Sequence, residues 1–322
     1  MFNEKNIVRL VAFGPLVIIP LVFIILSITI ISSQEQHFKS NLNKLKINTI
    51  QMQEQKIKIK IDNLVNYLEY KKSTIKQELT SRVKHRVDNA YTIANAIYEK
   101  NKNIKSEKEI KDLIKTALGS LTWNSGESFI WMINFKGRLE LAPAYLKHLE
   151  NTSILNTQGL NGKYTIKNEI KICKESKEGF IWDTYTKAGK DNIKQFEQLA
   201  FVKSLGFYDL YIGSAEYLNT AKKKSDEVLL ATLSKIDSLN TQYLFILKKD
   251  GTILLHSAKP SLVGKNAYMD SELQLTNIFK SIFTALKGKQ SAFATYSWEH
   301  PDTKQLERKI SYVRKVPNSD WV

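Results

Sequence analysis

The chain has 322 residues, 43% of them hydrophobic, which is room for two ordinary domains and a long accessory element rather than for one core. Its one cysteine, Cys173, excludes an internal disulfide, and neither a CxxC pair nor two histidines three or four residues apart is present to hold zinc, attached haem or a helical metal pair. The formal charge of +16 comes mostly from lysines spread along the whole length among Glu and Asp, with no nucleic-acid motif, so it reads as a compositional bias that helps to hold an anionic ligand at most, and no nucleic-acid partner is expected.

From Leu10 to Ser33 the sequence LVAFGPLVIIPLVFIILSITIISS carries no charge and is long enough to span a hydrocarbon core of about 30 Å as a helix. A cleaved signal peptide is the alternative, since Lys5 and Arg9 form a basic n-region, but the run is long and no A-x-A-like site follows. The uncleaved anchor is preferred, with residues 1–9 cytoplasmic, 10–33 in the inner (cytoplasmic) membrane and everything from about 34 onward periplasmic. Lys39, Lys44 and Lys46 on the far side weaken that orientation signal.

Between Pro20 and Gly119 there is neither proline nor glycine, and apolar residues recur at helical spacing through Ile61, Leu64, Leu68, Ile75, Leu79, Val83, Val87, Ala94 and Ile97. This predicts a helix over Gln36–Lys100, roughly 100 Å long and bent. The run KIKIKID (Lys56–Asp62) alternates like a strand, but its flanks are helical, and His85 reads as a solvated position. A second helix is marked by a capping box at Ser106 and Glu109, an apolar face at Ile110, Leu113, Ile114 and Ala117, and Gly119 at its end, which closes a helical segment over residues 34–118.

The pattern then turns to strands: SFIWMINFKGRLELA is a hairpin through Gly137, and GFIWDTYT, EQLAFVKS and YDLYIGSA follow, making a module over residues 119–215. Glu216–Leu239 reads as a connecting helix, and a second module occupies residues 240–322. There YLFILKKDGTILLHS repeats the hairpin with Gly251 for Gly137, LVGK repeats LNGK, and SAFATYSW repeats GFIWDTYT. SYVRKVPNSDWV lies over AFVKSLGFYDLY without a gap, pairing Phe201 with Tyr312, Lys203 with Arg314 and Asp209 with Asp320. Four landmarks in one order indicate a duplicated unit of about 90 residues. Because the first copy continues into IGSAEYL, the second is expected to be incomplete at its C-terminus.

These residues resemble the double Cache, PAS-like extracytoplasmic sensor domains of bacterial transmembrane receptors of the histidine kinase, chemoreceptor or diguanylate cyclase type. The resemblance runs from Gln36 to Val322 and is carried by Gly251, His256, Pro260, Leu262, Gly264, Lys265, Asn266, Tyr296, Trp298, Lys309, Tyr312, Asp320 and Trp321, and more loosely by the first module, with Ala142 and Pro143 where the His-containing run would be. It implies an α+β fold: an N-terminal transmembrane helix, a long helix and two tandem antiparallel five-stranded sheets, the second truncated. It further implies a sensing region with the ligand in the membrane-distal module, signal output through a histidine kinase, and a homodimer formed through the long helix; a chemoreceptor, a cyclase or a non-sensory tethered scaffold are the alternatives. The Arg-x-Trp-Tyr run of the amino-acid-binding version is missing, which moves the expected ligand toward a small organic anion such as a short carboxylate.

A pocket for such an anion needs fixed positive charge or N–H donors within aromatic walls. The first module offers Trp131, Arg138, Tyr145, Trp182, Tyr185 and Lys203, with Arg138 or Lys203 as the partner of the carboxylate. Core packing for the aromatics and a solvated turn for Arg138 are the competing readings. His256, Tyr296, Trp298, Lys309 and Tyr312 are the equivalents in the second module, where a structural role is expected. No nucleophile motif, Gly-rich phosphate loop or HExxH helix occurs, so no catalytic residue, metal or cofactor is expected in this chain.

Overall fold

The computed structural model describes residues 4–160, 162–187, 194–236, 242–269, 275–299 and 303–322, with side chains described outside 4–19 and 275–276. Helix α1 runs unbroken over Glu4–Asn101, so KIKIKID is helical as its flanks require. Its N-terminal part is long and apolar enough to cross a membrane by length and composition, and Leu21, Phe23, Ile24, Ile28 and Ile31 all stand exposed. Helix α2 (Glu107–Gly119) starts at the predicted capping box, with the Ser106 N–H donating to Glu109 Oε2 at 2.9 Å and the Glu109 N–H to Ser106 Oγ at 3.4 Å. Gly119 lies within its last turn, and the cap is Ser120 in the right-handed region, so the expected glycine stop does not operate.

The chain divides into two compact units. One takes residues 66–266 with 316–321. It contains β1 (Thr122–Trp123), β2 (Ser128–Asn134), β3 (Leu139–Leu141), α3 (Thr165–Ser176), β4 (Glu178–Thr186), β5 (Gln195–Ser204), β6 (Leu210–Tyr217), α4 (Leu218–Leu233), β7 (Phe245–Leu247) and β8 (Ile253–His256). The strands read from the sequence of the first module are all present in an antiparallel sheet of order β1-β2-β6-β5-β4 with β3 on the edge of β2, and β7 and β8 pair with each other in a two-stranded sheet. Two elements were not legible: β1, only two residues long, and α3. The connecting helix is shorter than expected, because Glu216 and Tyr217 still belong to β6; residues 237–239 of that expectation lie outside the described residues.

Strand side chains alternate between two faces, and each face has its own core. Ile130, Met132, Leu199, Phe201, Leu210 and Ile212 pack against the α1 stripe of Leu79, Val83, Val87, Ala90 and Ala94 and against Ile110, Ile114 and Leu118 of α2. On the opposite face Trp131, Ile133, Ala200, Val202, Tyr211 and Ala215 pack against Ile166, Ile170 and Cys173 of α3.

The sequence repeat reappears as a repeated hydrogen-bond frame within this unit. The turn after β2 has Asn134 N–H to Arg138 O at 3.0 Å and Gly137 N–H to Asn134 O at 2.8 Å; the turn after β7 has Lys248 N–H to Thr252 O at 2.8 Å and Gly251 N–H to Lys248 O at 3.0 Å. Both turn glycines have positive φ, 80° and 90°, as do Gly162 and Gly264 of the LNGK and LVGK landmarks, at 72° and 85°. Phe135 N–H donates to Asp209 O at 2.9 Å and Lys249 N–H to Asp320 O at 2.8 Å, while Leu205 N–H donates to Leu210 O and Val316 N–H to Trp321 O, both at 2.9 Å.

The other unit takes residues 1–65, 267–315 and 322. Helix α5 (Leu275–Ala285) packs on β9 (Ser291–Glu299), which pairs antiparallel with β10 (Leu306–Arg314) from Ser291 opposite Arg314 to Glu299 opposite Leu306. Here Asp62 of α1 accepts from Arg314 Nη1 at 2.7 Å and from Tyr312 O–H at 3.0 Å, and Lys58 lies over the Tyr312 ring at 5.6 Å. In the first unit Asp88 of α1 pairs with Lys203 at 2.8 Å, and Lys84 lies over the Phe201 ring at 4.4 Å. The strand residues are the ones aligned by the repeat, and each Lys and Asp of α1 are four apart, which sets them on one helical face.

Candidate functional site

The second face of the six-stranded sheet does not close completely on α3. Trp131 of β2 lies across Gly213 of β6, its direct strand partner, where an added Cβ would sit 2.5 Å from the indole. Beside the indole is a cavity of about 50 Å³ lined by Phe129, Trp131, Ile133, Leu139, Pro143, Leu146 and Ile154, by Thr165, Ile166 and Glu169 of α3, by Tyr185 and Gln198, by Ala215 and Tyr217 of β6, and by Glu127. Strand parity explains the set: residues 129, 131 and 133 of β2 and 213, 215 and 217 of β6 all face the same way.

The polar groups of this cavity are carboxyls and phenols together with the Thr165 hydroxyl, the Gln198 amide and the Trp131 indole N–H. Glu169 is 2% exposed, and its Oε2 accepts the Tyr211 O–H at 2.8 Å. Burial, reinforced by the nearby Asp183, pushes its carboxyl up to about 8, well above the usual carboxylate range. Asp183 is itself buried, and neither of its oxygens has a hydrogen-bond partner of ordinary geometry, although Gln198 and Thr165 lie close enough to favour its ionised form; burial dominates and raises it to about 6. The Trp131 indole N–H is buried near Glu169, and again no ordinary hydrogen bond forms. Burial raises the phenols of Tyr145, Tyr185 and Tyr217, keeping them neutral.

At the edge of the cavity Glu127 is already matched. Lys187, 4% exposed, donates to Thr220 Oγ1 at 2.6 Å and lies 3.2 Å from Glu127 Oε2, and Thr220 donates to the same oxygen at 2.6 Å. The ammonium also sits over the rings of Tyr217 at 4.5 Å and Phe196 at 5.0 Å. Among the described residues, no lysine or arginine lines the cavity.

The residues singled out in the sequence are thus divided. Trp131 and Tyr185 line the cavity, and Tyr145 packs its ring 6.0 Å from that of Phe129 and interacts with Tyr217. Trp182 is on the opposite face of β4 with Lys76 over its ring at 5.4 Å, because it stands an odd number of positions before Tyr185. The two expected anion partners are elsewhere. Arg138 is exposed after the Gly137 turn and bridges Ser153 through its backbone. Lys203 shares the parity of Phe201, faces α1 and is held at 2.8 Å by Asp88 and 2.6 Å by Glu178.

Of the second set, His256 is buried in β8, its Nδ1 accepting from the Lys259 N–H at 3.0 Å and its ring stacked 4.9 Å from Tyr243. In the other unit Tyr296 O–H meets Ser311 Oγ at 2.6 Å, Trp298 is buried, burial lowers Lys309, and Tyr312 holds Asp62.

Glu169, Tyr217, Thr165 and Gln198 were missed in the sequence. The available signal was the stripe Ile166, Ile170 and Cys173, helical in period, with the acid Glu169 set inside it.

Residues 34–322 match the family described as Cache domain (dCache_2). Among solved structures, the periplasmic sensor domain of a chemotaxis protein is 16% identical, covering 47% of this chain and 96% of its own, with a TM-score of 0.37. A Cache chemosensory domain solved for the structural basis of carboxylic acid recognition is 13% identical over 45% of this chain and 97% of its own, TM-score 0.40. The ligand-binding domain of the Pseudomonas fluorescens chemoreceptor CtaA, in complex with L-isoleucine, is 15% identical over 79% of this chain and 93% of its own, TM-score 0.28. With a family match that leaves out only the first 33 residues, the chain belongs to the Cache domain family.

Proposed function

We propose that this chain is the ligand-sensing region of a membrane-anchored bacterial receptor, held in the inner membrane by the apolar start of α1, with residues from about 34 onward in the periplasm and the cavity beside Trp131 as its ligand site. The observation that carries this reading is the two-faced character of β6. Ala215 and Tyr217 line the cavity, while Glu216 between them, 1% exposed, takes Arg82 at 2.8 Å and Arg86 at 2.6 Å from α1. A strand that touches a ligand with alternate residues and holds a long helix with the residue between is a ready means of turning occupancy into helix displacement. The output is proposed as a histidine kinase on the strength of the sequence resemblance alone. An exposed stripe at heptad spacing on α1, Phe38, Leu45, Met52 and Ile59, supports homodimer formation through this helix; in membranes, a Leu45→Cys chain should form an intermolecular disulfide, and its absence would speak for a monomer.

The small organic anion expected from the sequence finds no cationic partner among the described lining residues, so the proposal keeps a small polar ligand without that charge. The full chain in detergent should be screened by thermal shift against short carboxylates, amino acids and small amines, beside an Ala215→Leu variant that fills the cavity. Stabilisation of the parent but not of the filled variant is expected; a ligand that stabilises both equally, or none in any class, would remove the sensing role of this cavity.

A further inference from the structure

The cavity combines one buried carboxyl with walls of Phe129, Trp131, Tyr185 and Tyr217, and its volume of about 50 Å³ has room for roughly three to five water-sized atoms. We infer that its ligand is a small alkylammonium ion of about three to five heavy atoms, held by the Glu169 carboxylate against the aromatic faces, and that Glu169 releases its proton when the ligand binds. This inference rests on the sensing reading above and adds the chemical class.

Three observations point to a cation. The Tyr217 ring already receives one ammonium, that of Lys187, so the aromatic groups here are disposed to hold positive charge. Asp183, 7% exposed beside Thr165 and Gln198, has no hydrogen-bond partner of ordinary geometry on either oxygen and adds a second source of negative potential. An anion would instead face Asp183, with Lys187 committed to Glu127 and Thr220.

The groups around Glu169 are Tyr211 on β6, whose phenol donates to it, Asp183 and Tyr185 on β4, Trp131 on β2 and Cys173 on α3. Burial raises the Tyr211 phenol far out of range, Tyr185 to about 12 and the Cys173 thiol to about 12, so within the working range only Asp183 and Glu169 titrate. In the empty cavity Glu169 carries its proton up to about pH 8. An alkylammonium, with a pKa about that of lysine, near 10.4, stays charged throughout. Binding below pH 8 exchanges the Glu169 proton for the ligand's charge, the proton passing to buffer. Affinity therefore rises about tenfold per pH unit toward pH 8 and then levels off.

The test uses the full chain in nanodiscs, with ethylammonium and trimethylammonium chloride as probes and propionate as the anionic counterpart. Calorimetry in buffers of different ionisation enthalpy at pH 7 should show about one proton released per ammonium bound, and affinity should climb between pH 6 and 8. Glu169→Gln, which keeps the shape and an acceptor for Tyr211, should weaken binding about ten- to a hundredfold and abolish the proton release. Ammonium binding without proton release, or unchanged in Glu169→Gln, overturns the inference, and so does the absence of ammonium binding. If propionate binds instead, in a way that Ala215→Leu blocks, the sensing role stands and only the ligand class is lost.

Discussion

Glu169 lies inside the apolar stripe of Ile166, Ile170 and Cys173, where burial favours its protonated form and Tyr211 bonds to it. This has a consequence for stability. The folded pKa of about 8 lies above the ordinary 4.5, so the folded protein binds the proton more tightly than the unfolded chain. The stabilisation is fully present below about pH 4.5 and is lost as pH rises through 8, at a slope of roughly 1.4 kcal/mol per pH unit between those limits. Asp183, raised to about 6, contributes in the same sense over a lower window. In Glu169→Gln the fall in melting temperature between pH 6 and 8 should flatten, and an unchanged slope would show that Glu169 is ionised in the empty protein. The aromatic part of the site was legible, because large rings in alternating strands announce a buried face. The charge was not: Arg138 and Lys203 were weighed by type, whereas Lys203 shares its parity with Phe201 and so belongs to the α1 face.

At the scale of elements, what the sequence carried was the repeat, and the structure repeats it down to single backbone hydrogen bonds at Asp209 and Asp320, two aspartates whose carbonyls receive equivalent turn residues. Those aspartates align because both copies need the same chain reversal against the same hairpin. The pairing extends to α1, where Lys84 and Asp88 receive Phe201 and Lys203 as Lys58 and Asp62 receive Tyr312 and Arg314. Such helix-to-strand matching was hidden, since on a charged helix these Lys and Asp residues look like any solvated pair. Helices α3 and α5 went unread because each is short, 12 and 11 residues. The start of α4 was placed too early for another reason. EYL has helical propensity, yet Glu216 is drawn into β6 by two arginines of α1, a tertiary contact that local propensity does not contain.

For the whole molecule the question is how occupancy of a small cavity reaches a helix that continues unbroken to Glu4. Glu216 is the point of contact. Arg82 and burial-depressed Arg86 hold its two oxygens, Arg86 also stacks 4.8 Å from the Trp123 ring, and its Nη1 lacks a hydrogen-bond partner, so the grip is tight but incompletely satisfied. Under the proposed sensing role, a ligand pushing on Ala215 and Tyr217 would carry the intervening Glu216 with the strand and change the hold on Arg82 and Arg86. Hydrogen exchange of the α1 amides between Thr80 and Ala90 should therefore respond to whichever cavity ligand the screen identifies. In Glu216→Gln the charge that draws the arginines is gone while the cavity lining is intact, so ligand affinity should hold within about threefold and the α1 response should disappear. A response of the same size in Glu216→Gln would mean that the signal leaves the sheet by another contact, and the role assigned to β6 would fall.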